Sequence, residues 1–174
     1  MSLDYIRVEV PELYPWVLMS SGIIAFQCLL IGFGAGGKRG KIFNHDKIKE
    51  KFGEEHQKHF KTDPPKGGYP DHGDGMYADE LLSYKEWFEF SLDQRGHKNF
   101  LEQVTIICFL ICVIGLLYPI AALVFAGIQF VSRWIFVWGY KRGPMWRLAG
   151  GAPAMLSLVG MMGTGIAACG VWIS

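Results

Sequence analysis

The sequence has little charge for its length, and most of that charge lies in one stretch. Only 19% of the 174 residues are charged, whereas 51% are hydrophobic. The charged residues gather mostly between positions 38 and 102, which leaves long uncharged runs on both sides. A water-soluble domain of this size carries more charge and fewer clustered apolar residues. The composition therefore excludes an ordinary soluble domain and indicates a membrane protein.

The sequence also has few residues from which to build a disulfide framework or a metal site. Its four cysteines all fall in apolar runs, where they are interpreted as small buried side chains: Cys28, Cys108, Cys112 and Cys169. His56 and His59 beside Glu55 match no recognised ligand spacing, and no third ligand is in place. We expect a solvated helix face there and no metal.

Features of secreted proteins, transporters and nucleic-acid-binding proteins are missing as well. The first apolar run has no basic segment before it and no small-residue cleavage pattern after it, which excludes a secretory signal peptide. The sequence shows no inverted repeat and no broken helix, which are the features that would indicate a transporter. We expect no nucleic-acid partner.

What the sequence does contain is four apolar runs, each of a length suited to a bilayer that takes about 20 apolar residues per helix. They cover residues 14–37, 86–118, 120–140 and 152–173, and Pro119 leaves only a tight turn between the second and the third. The sequence predicts a single membrane domain, an all-α integral membrane four-helix bundle. Residues 38–83 form a long polar loop insertion, in which Ile48 and Phe52 indicate a short surface helix.

Lysine and arginine concentrate in two of the connecting segments. Ten of the seventeen lie in residues 38–90 and three in residues 141–147. Both segments fall on one side of the membrane, which we expect to be the cytosolic side or its matrix equivalent. The membrane of the endoplasmic reticulum and a mitochondrial membrane both remain open as locations.

A stripe of polar residues lies in the amphipathic first part of the second run, ahead of its apolar core at residues 104–118. Arg95, Asn99 and Glu102 are spaced i, i+4 and i+7, so they share one face of a helix. A charge at membrane depth costs roughly 2.5 kcal/mol or more unless it is paired or hydrated. We therefore expect the stripe to turn inward or toward a neighbouring subunit. The alternative is that the side chains of Arg95 and Lys98 extend to the interface between membrane and water. For Lys98 this is the better interpretation.

A second polar stripe is predicted on the third span. Arg133, Tyr140 and Arg147 are seven residues apart and would share one helix face. Arginine binds carboxylates through two parallel hydrogen bonds, and the carboxylate of Glu102 can hold an ammonium group. Together the two stripes favour a pocket for a small zwitterion, such as a peptide-like anion.

The segment FSLDQRGHKNFLE, residues 90–102, resembles the second-helix signature F-N-x-x-Q-R-x-H-x-N-x-L-E of the MAPEG family. These are membrane-associated proteins of eicosanoid and glutathione metabolism. The pairs YP at 69–70 and MY at 76–77, with LYP at 117–119 and GY at 139–140, resemble its branch of third-type microsomal glutathione S-transferases. The resemblance implies a homotrimer of four-helix bundles that binds glutathione, as co-substrate, at each subunit interface. It also implies glutathione transferase or lipid peroxidase activity on membrane-borne electrophiles.

The resemblance further implies roles for particular residues. It assigns glutathione contacts to Arg95, His97, Asn99, Glu102 and Tyr140, with His97 contacting from the adjacent subunit. Arg147 matches the catalytic arginine that activates the thiol. A free thiol has a pKa of about 8.5, and a nearby guanidinium favours the nucleophilic thiolate. Lys38 or Arg39 matches a basic pair at the end of the first helix.

Three departures from the family pattern support a second hypothesis. Ser91 replaces an asparagine, Phe136 replaces a tyrosine, and Gln103 and Val104 stand where another tyrosine is expected. With the long insertion, these departures suggest a non-catalytic subunit of a larger membrane complex, such as a mitochondrial respiratory complex. Its partners would be neighbouring subunits rather than two further copies. Membrane lipids are expected partners under both hypotheses.

Overall fold

The computed structural model of the protein describes residues 9–173, apart from the side chains of residues 144, 172 and 173. This part of the chain forms helices and contains no strand. In chain order the helices are α1 (Tyr14–Ile42), α2 (His45–Phe60), α3 (Asp74–Ala78), α4 (Tyr84–Gly115), α5 (Pro119–Arg142) and α6 (Pro144–Ile173). The predicted all-α fold class is confirmed.

Four of these helices, α1, α4, α5 and α6, are long and apolar enough to cross a membrane. The prediction of an integral membrane protein with four spanning helices is therefore confirmed. The helix bounds differ from the predicted ones: α1 continues to Ile42, α4 ends at Gly115 rather than at residue 118, and α6 begins at Pro144 rather than at residue 152. With 32 residues, α4 is roughly 48 Å long and exceeds the hydrocarbon core of about 30 Å.

Contacts divide the chain into two compact units. The bundle unit, in its described part, is residues 9–30 and 98–173. Its core consists of apolar side chains without measurable exposure, among them Phe100, Ile107, Ile111 and Ile114 of α4. Helices α1 and α4 approach closely within this unit, because a Cβ atom on Gly115 would lie 2.5 Å from the side chain of Val17.

The insertion unit is residues 31–97, and most of the predicted polar loop folds within it. Asn44 starts α2 by accepting hydrogen bonds from the backbone N–H groups of Asp46 and Lys47, which is a typical helix N-cap. Ile48 is buried with Met76 and Leu82 in a small apolar core. The short helix predicted from Ile48 and Phe52 is thus present, but it is part of a folded unit rather than of a loop.

Side chains from the end of α1 hold the insertion unit together. Lys38 pairs with Glu89 at 3.3 Å and Asp93 at 3.2 Å. Arg39 donates hydrogen bonds to the backbone carbonyls of Asp71, at 2.7 Å, and Tyr69. Burial raises the pKa of Tyr69, and the charges of Asp71 and Asp79 add to the shift.

We expect Arg39→Ala to loosen the segment around residues 69–71. Hydrogen bonds from a charged donor contribute about 2 kcal/mol, and this variant removes two of them. Hydrogen exchange of the backbone amides near Asp71 should accelerate at least tenfold. Lys41→Ala is the matched control, because Lys41 is exposed at the same end of α1. Equal exchange in the two variants would show that Arg39 does not hold this segment.

Candidate functional site

The best-defined polar pair in the bundle unit joins Arg147 to Tyr140. Nη1 of Arg147 donates a hydrogen bond to the Tyr140 hydroxyl at 3.3 Å. The guanidinium carbon lies 5.4 Å from the centre of the phenol ring, within the range of a cation–π contact. Both side chains are half-buried. In the described part of the chain, no carboxylate forms an ion pair with Arg147.

A helix break and a close helix approach bring these two residues together. Gly143, with φ 142°, follows the last residue of α5, and α6 begins at once with Pro144. Arg147 therefore belongs to α6 and not to the third span. The prediction that one helix face carries Arg133, Tyr140 and Arg147 was wrong for Arg147. A turn with positive φ, followed by a proline that has no N–H to continue α5, ends the helix first.

Glycines set the distance between α5 and α6. A Cβ atom on Gly139 would lie 2.5 Å from the backbone oxygen of Trp146 and 2.8 Å from the nitrogen of Arg147. A Cβ atom on Gly150 would overlap the backbone of Phe136 and Ser132. Because the backbones touch at both glycines, Arg147 is held at the level of Tyr140.

Aromatic residues around the α5–α6 turn place the pair near the membrane surface. Trp138 and Trp146 are both exposed, and their ring centres are 5.9 Å apart. The guanidinium of Arg142 lies 3.9 Å from the centre of a Trp138 ring. Tryptophan and arginine gather at the interface between hydrocarbon and water. This composition favours a location of Arg147 at that interface.

Arg133 lies deeper in the bundle, roughly 14 Å from Arg142 along α5 at 1.5 Å per residue. Only 2% of its surface is exposed. Its Nη1 donates to Oδ1 of Asn99 at 2.9 Å, and its Nη2 donates to Oε1 of Gln103. The guanidinium also lies over the ring of Phe100, 4.8 Å from its centre. Among residues 9–173, no carboxylate pairs with Arg133, and its Nε–H has no partner.

Two glutamines extend this polar interior. The Gln27 side chain donates to the Phe130 carbonyl at 2.8 Å, and that of Gln129 donates to the Ala154 carbonyl at 2.7 Å. These bonds join α1 to α5 and α5 to α6. Such interhelical hydrogen bonds help fix helix positions in a membrane, where apolar burial favours no particular packing.

The predicted site residues on α4 fall into different surroundings. Arg95 and Glu102 are exposed, and neither forms an ion pair within the described residues. His97 packs against α1 of its own chain, because a Cβ atom on Gly32 would lie 2.7 Å from its Nε2. Asn99 is half-buried and bound to Arg133. Within one chain, the expected inward turn therefore holds for Arg133 and Asn99 but not for Arg95 and Glu102.

Sequence reasoning missed the role of Gln103. Gln103 and Val104 stand where the resemblance leads one to expect a tyrosine, so the sequence predicts only a departure from the family pattern there. The available signal was its spacing of four from Asn99, which puts both amides on one helix face.

Lys38 and Arg39, the candidate basic residues ending α1, both bind residues of the insertion unit. The described residues include no group of three or more His, Cys, Asp or Glu side chains able to hold a metal ion.

Comparison with known proteins agrees with this architecture. No curated protein and no solved structure matches the chain. The model of the MAPEG family matches residues 16–167, a range that runs from the first turn of α1 to the last turns of α6. With this match over most of its length, the chain belongs to the MAPEG family.

Proposed function

We propose that the protein is a glutathione transferase and glutathione-dependent lipid peroxidase that acts on membrane-borne electrophiles. The observation that carries this proposal is the Arg147–Tyr140 pair. It consists of a half-buried guanidinium that no described carboxylate neutralises, hydrogen-bonded to a phenol hydroxyl at the level of the interfacial tryptophans. Within the family, the resemblance to third-type microsomal glutathione S-transferases makes that branch the proposed relative.

The proposed role of Arg147 is to stabilise the glutathione thiolate. A thiol with a pKa of about 8.5 is mostly protonated at neutral pH. A cation beside the sulfur lowers this pKa, because it interacts favourably only with the deprotonated form. The thiolate then attacks an electrophilic carbon, a carbon–sulfur bond forms, and the leaving group departs with the electron pair of its former bond.

The same thiolate would reduce a lipid hydroperoxide. It attacks the terminal peroxide oxygen, the O–O bond breaks, and the lipid alkoxide takes a proton to become an alcohol. The resulting glutathione sulfenic acid reacts with a second glutathione to give the disulfide and water. The reaction consumes two glutathione molecules per hydroperoxide, so no other reductant is needed.

The exposed charges of α4 support a homotrimer with glutathione between subunits. Arg95 and Glu102 lie just before the apolar end of α4, and neither is paired within the described chain. Exposure of both charges to lipid would be costly. A neighbouring copy and a zwitterionic ligand would offer partners to both, with His97 and Asn99 as the further contacts that the resemblance implies.

Turnover in lipid nanodiscs tests the proposal. Purified protein should conjugate glutathione to an apolar electrophile and reduce a phospholipid hydroperoxide, and glutathione should stabilise it against heat. Ultraviolet absorbance of the bound thiolate would report its formation directly, and the mass of the particle would report a trimer. A folded preparation that shows no glutathione binding and no turnover would refute the enzyme assignment.

A second candidate, a structural subunit of a larger membrane complex, is favoured by one observation. Lys38 and Arg39, which the resemblance matches to a basic pair at the end of the first helix, are both already bound within the insertion unit. Mild-detergent extraction of the native membrane separates the candidates. Co-purification with a large complex, without glutathione binding, would support the structural subunit. Fractionation of the cells that produce the protein would show whether it resides in the endoplasmic reticulum or in a mitochondrial membrane.

A further inference from the structure

Four aromatic side chains of the insertion unit form a cluster that we call the aromatic shelf: Tyr77, Tyr84, Trp87 and Phe88. The ring of Tyr77 is stacked on that of Trp87, with 4.8 Å between their centres, and Tyr84 is stacked on Phe88 at 5.7 Å. Tyr84 joins the two stacks, because its ring centre also lies 5.7 Å from that of Trp87. Tyr84 is 60% exposed and Phe88 is 44% exposed. The shelf is therefore a continuous surface of rings that is open to solvent.

The aromatic shelf is held in place by Trp87. The indole Nε1–H of Trp87 donates a hydrogen bond to Oδ1 of Asp74 at 2.8 Å. The same side chain packs against the small apolar core of the insertion unit, which consists of Ile48, Met76 and Leu82. Because the central ring of the shelf is already fixed, a ligand that binds there orders few side chains and loses little conformational entropy.

Contact with acyl chains does not explain the exposed rings. Residues 84–97, the first part of α4, include five charged residues: Lys85, Glu86, Glu89, Asp93 and Arg95. A stretch with this many charges favours water over hydrocarbon. On a surface that faces water, a cluster of exposed apolar rings is typical of a binding site, and tyrosine and tryptophan are enriched where proteins meet.

A cavity of about 600 Å³ adjoins the aromatic shelf at Tyr77, which belongs to both. Glu80 and Glu86 also line the cavity, and both are exposed. Neither glutamate forms an ion pair within the described residues. Lys47 lines the cavity as well, so two glutamates and one lysine give its walls a net charge of −1. This charge favours a cation as the ligand.

The carboxylate of Glu86 keeps one oxygen available to a ligand. Its Oε2 accepts hydrogen bonds from the Ser83 backbone N–H at 2.9 Å and from the Ser83 hydroxyl at 2.6 Å. The Ser83 hydroxyl oxygen accepts in turn from the Glu86 N–H at 3.3 Å, which completes a capping box. These bonds leave Oε1 without a described donor. Because Glu86 already supplies the negative charge that a helix start attracts, the start of α4 is not a free anion site.

We propose that the aromatic shelf and the adjoining cavity form a docking site for an arginine-bearing segment of a partner protein. A guanidinium group stacks on aromatic rings and donates paired hydrogen bonds to carboxylates, so one arginine can use Tyr77 together with Glu80 and Glu86. A quaternary ammonium, such as the choline group of a lipid, also binds to rings but has no N–H for the two carboxylates. The inference concerns the insertion unit alone and does not depend on the proposed function.

Titration of the whole chain with short peptides tests the docking site. One peptide carries two arginines among glycines, and the second has glutamines in their place. The protein is kept in dodecyl maltoside, a detergent whose headgroup has neither charge nor choline. We expect the arginine peptide to bind at least about tenfold more tightly than the glutamine peptide. We expect its affinity to fall as salt is added, because salt screens exposed charges.

Charge variants of the cavity should change peptide affinity in opposite directions. Glu86→Gln removes the charge but keeps the capping box, in which glutamine also serves. Combined with Glu80→Gln, it should weaken binding of the arginine peptide by about tenfold. Lys47→Glu should strengthen binding, because it removes a repulsive charge and adds an attractive one. All three positions are exposed, so the unfolding temperature should not change.

Ring variants test the aromatic shelf separately. Tyr84→Ala removes an exposed ring of the shelf and should weaken binding of the arginine peptide by about threefold. Phe60→Ala is the matched control, because Phe60 is an exposed ring outside the shelf. Glu50→Gln is the control for the cavity, because Glu50 is an exposed carboxylate that does not line it. Neither control should change peptide affinity.

Each result either supports or overturns the docking site. Binding of the arginine peptide that weakens in the shelf and cavity variants, but not in the two controls, supports it. A folded protein that does not bind this peptide, or that binds the glutamine peptide equally well, overturns it, as do equal losses in variants and controls. Choline chloride tests the lipid alternative. If choline displaces the peptide at a lower concentration than arginine amide does, the site belongs to a lipid headgroup and the protein partner is overturned.

Discussion

Arg147→Ala is expected to lower kcat/KM for glutathione by about 100-fold at pH 7. An adjacent opposite charge shifts a pKa by roughly 1 to 3 units, and the proportion of thiolate changes with it. In the wild type, the guanidinium lowers the thiol pKa, so the reactive form is present at neutral pH. Without it, the pKa returns toward about 8.5, and the rate should recover as the pH rises through that value.

The pH–rate profile is therefore the decisive measurement for Arg147. A simple loss of binding would lower the rate equally at all pH values, whereas loss of thiol activation moves the profile to higher pH. Arg142→Ala is the matched control, because Arg142 belongs to the same turn but stacks on Trp138. The assignment of Arg147 would be refuted by a variant with wild-type kcat/KM, or by one whose profile does not move.

The second large effect is expected for Gly150→Ala, which should destabilise the protein by about 3 kcal/mol or more. The added Cβ atom would overlap the backbone of Phe136 and Ser132. Backbone atoms of a packed helix cannot move aside as the end of a side chain can, so α5 and α6 would have to separate. Separation would also move Arg147 away from Tyr140, and activity should fall together with the unfolding temperature.

Gly163→Ala on the same helix provides the comparison for Gly150→Ala. A Cβ atom on Gly163 meets nothing within 4 Å, so only helix propensity changes there. Alanine is favoured over glycine inside a helix by about 1 kcal/mol, and this variant should be as stable as the wild type or slightly more so. Equal unfolding temperatures for the two variants in detergent would show that α5 and α6 do not pack through Gly150.

The helical architecture could be predicted because its causes are local in the sequence. The four apolar runs need no tertiary contact to be recognised, since a bilayer selects for length and lack of charge. The short helix α2 follows from the Asn44 cap and the spacing of Ile48 and Phe52. The signature at residues 90–102 also pointed to the family, and the match over residues 16–167 established it.

The limits of local reasoning are clearest at Arg147. A spacing of seven places residues on one face only while a single helix continues. Gly143 ends that helix, and Gly139 then lets the next one approach closely enough for Arg147 to reach Tyr140 again. The sequence placed Arg147 and Tyr140 together because they would share one face of a single helix. In the structure they meet because two helices pack closely.

The sequence by itself determined that the chain spans a membrane with four helices and that polar groups enter them. Only the tertiary structure decided which polar groups meet. Arg133 binds Asn99 and Gln103 of another helix, and Arg39 binds the carbonyls of Tyr69 and Asp71, which lie some thirty residues further along the chain. Periodicity describes one helix at a time, whereas a buried cation takes whichever oxygen atoms the packing of several helices brings within reach.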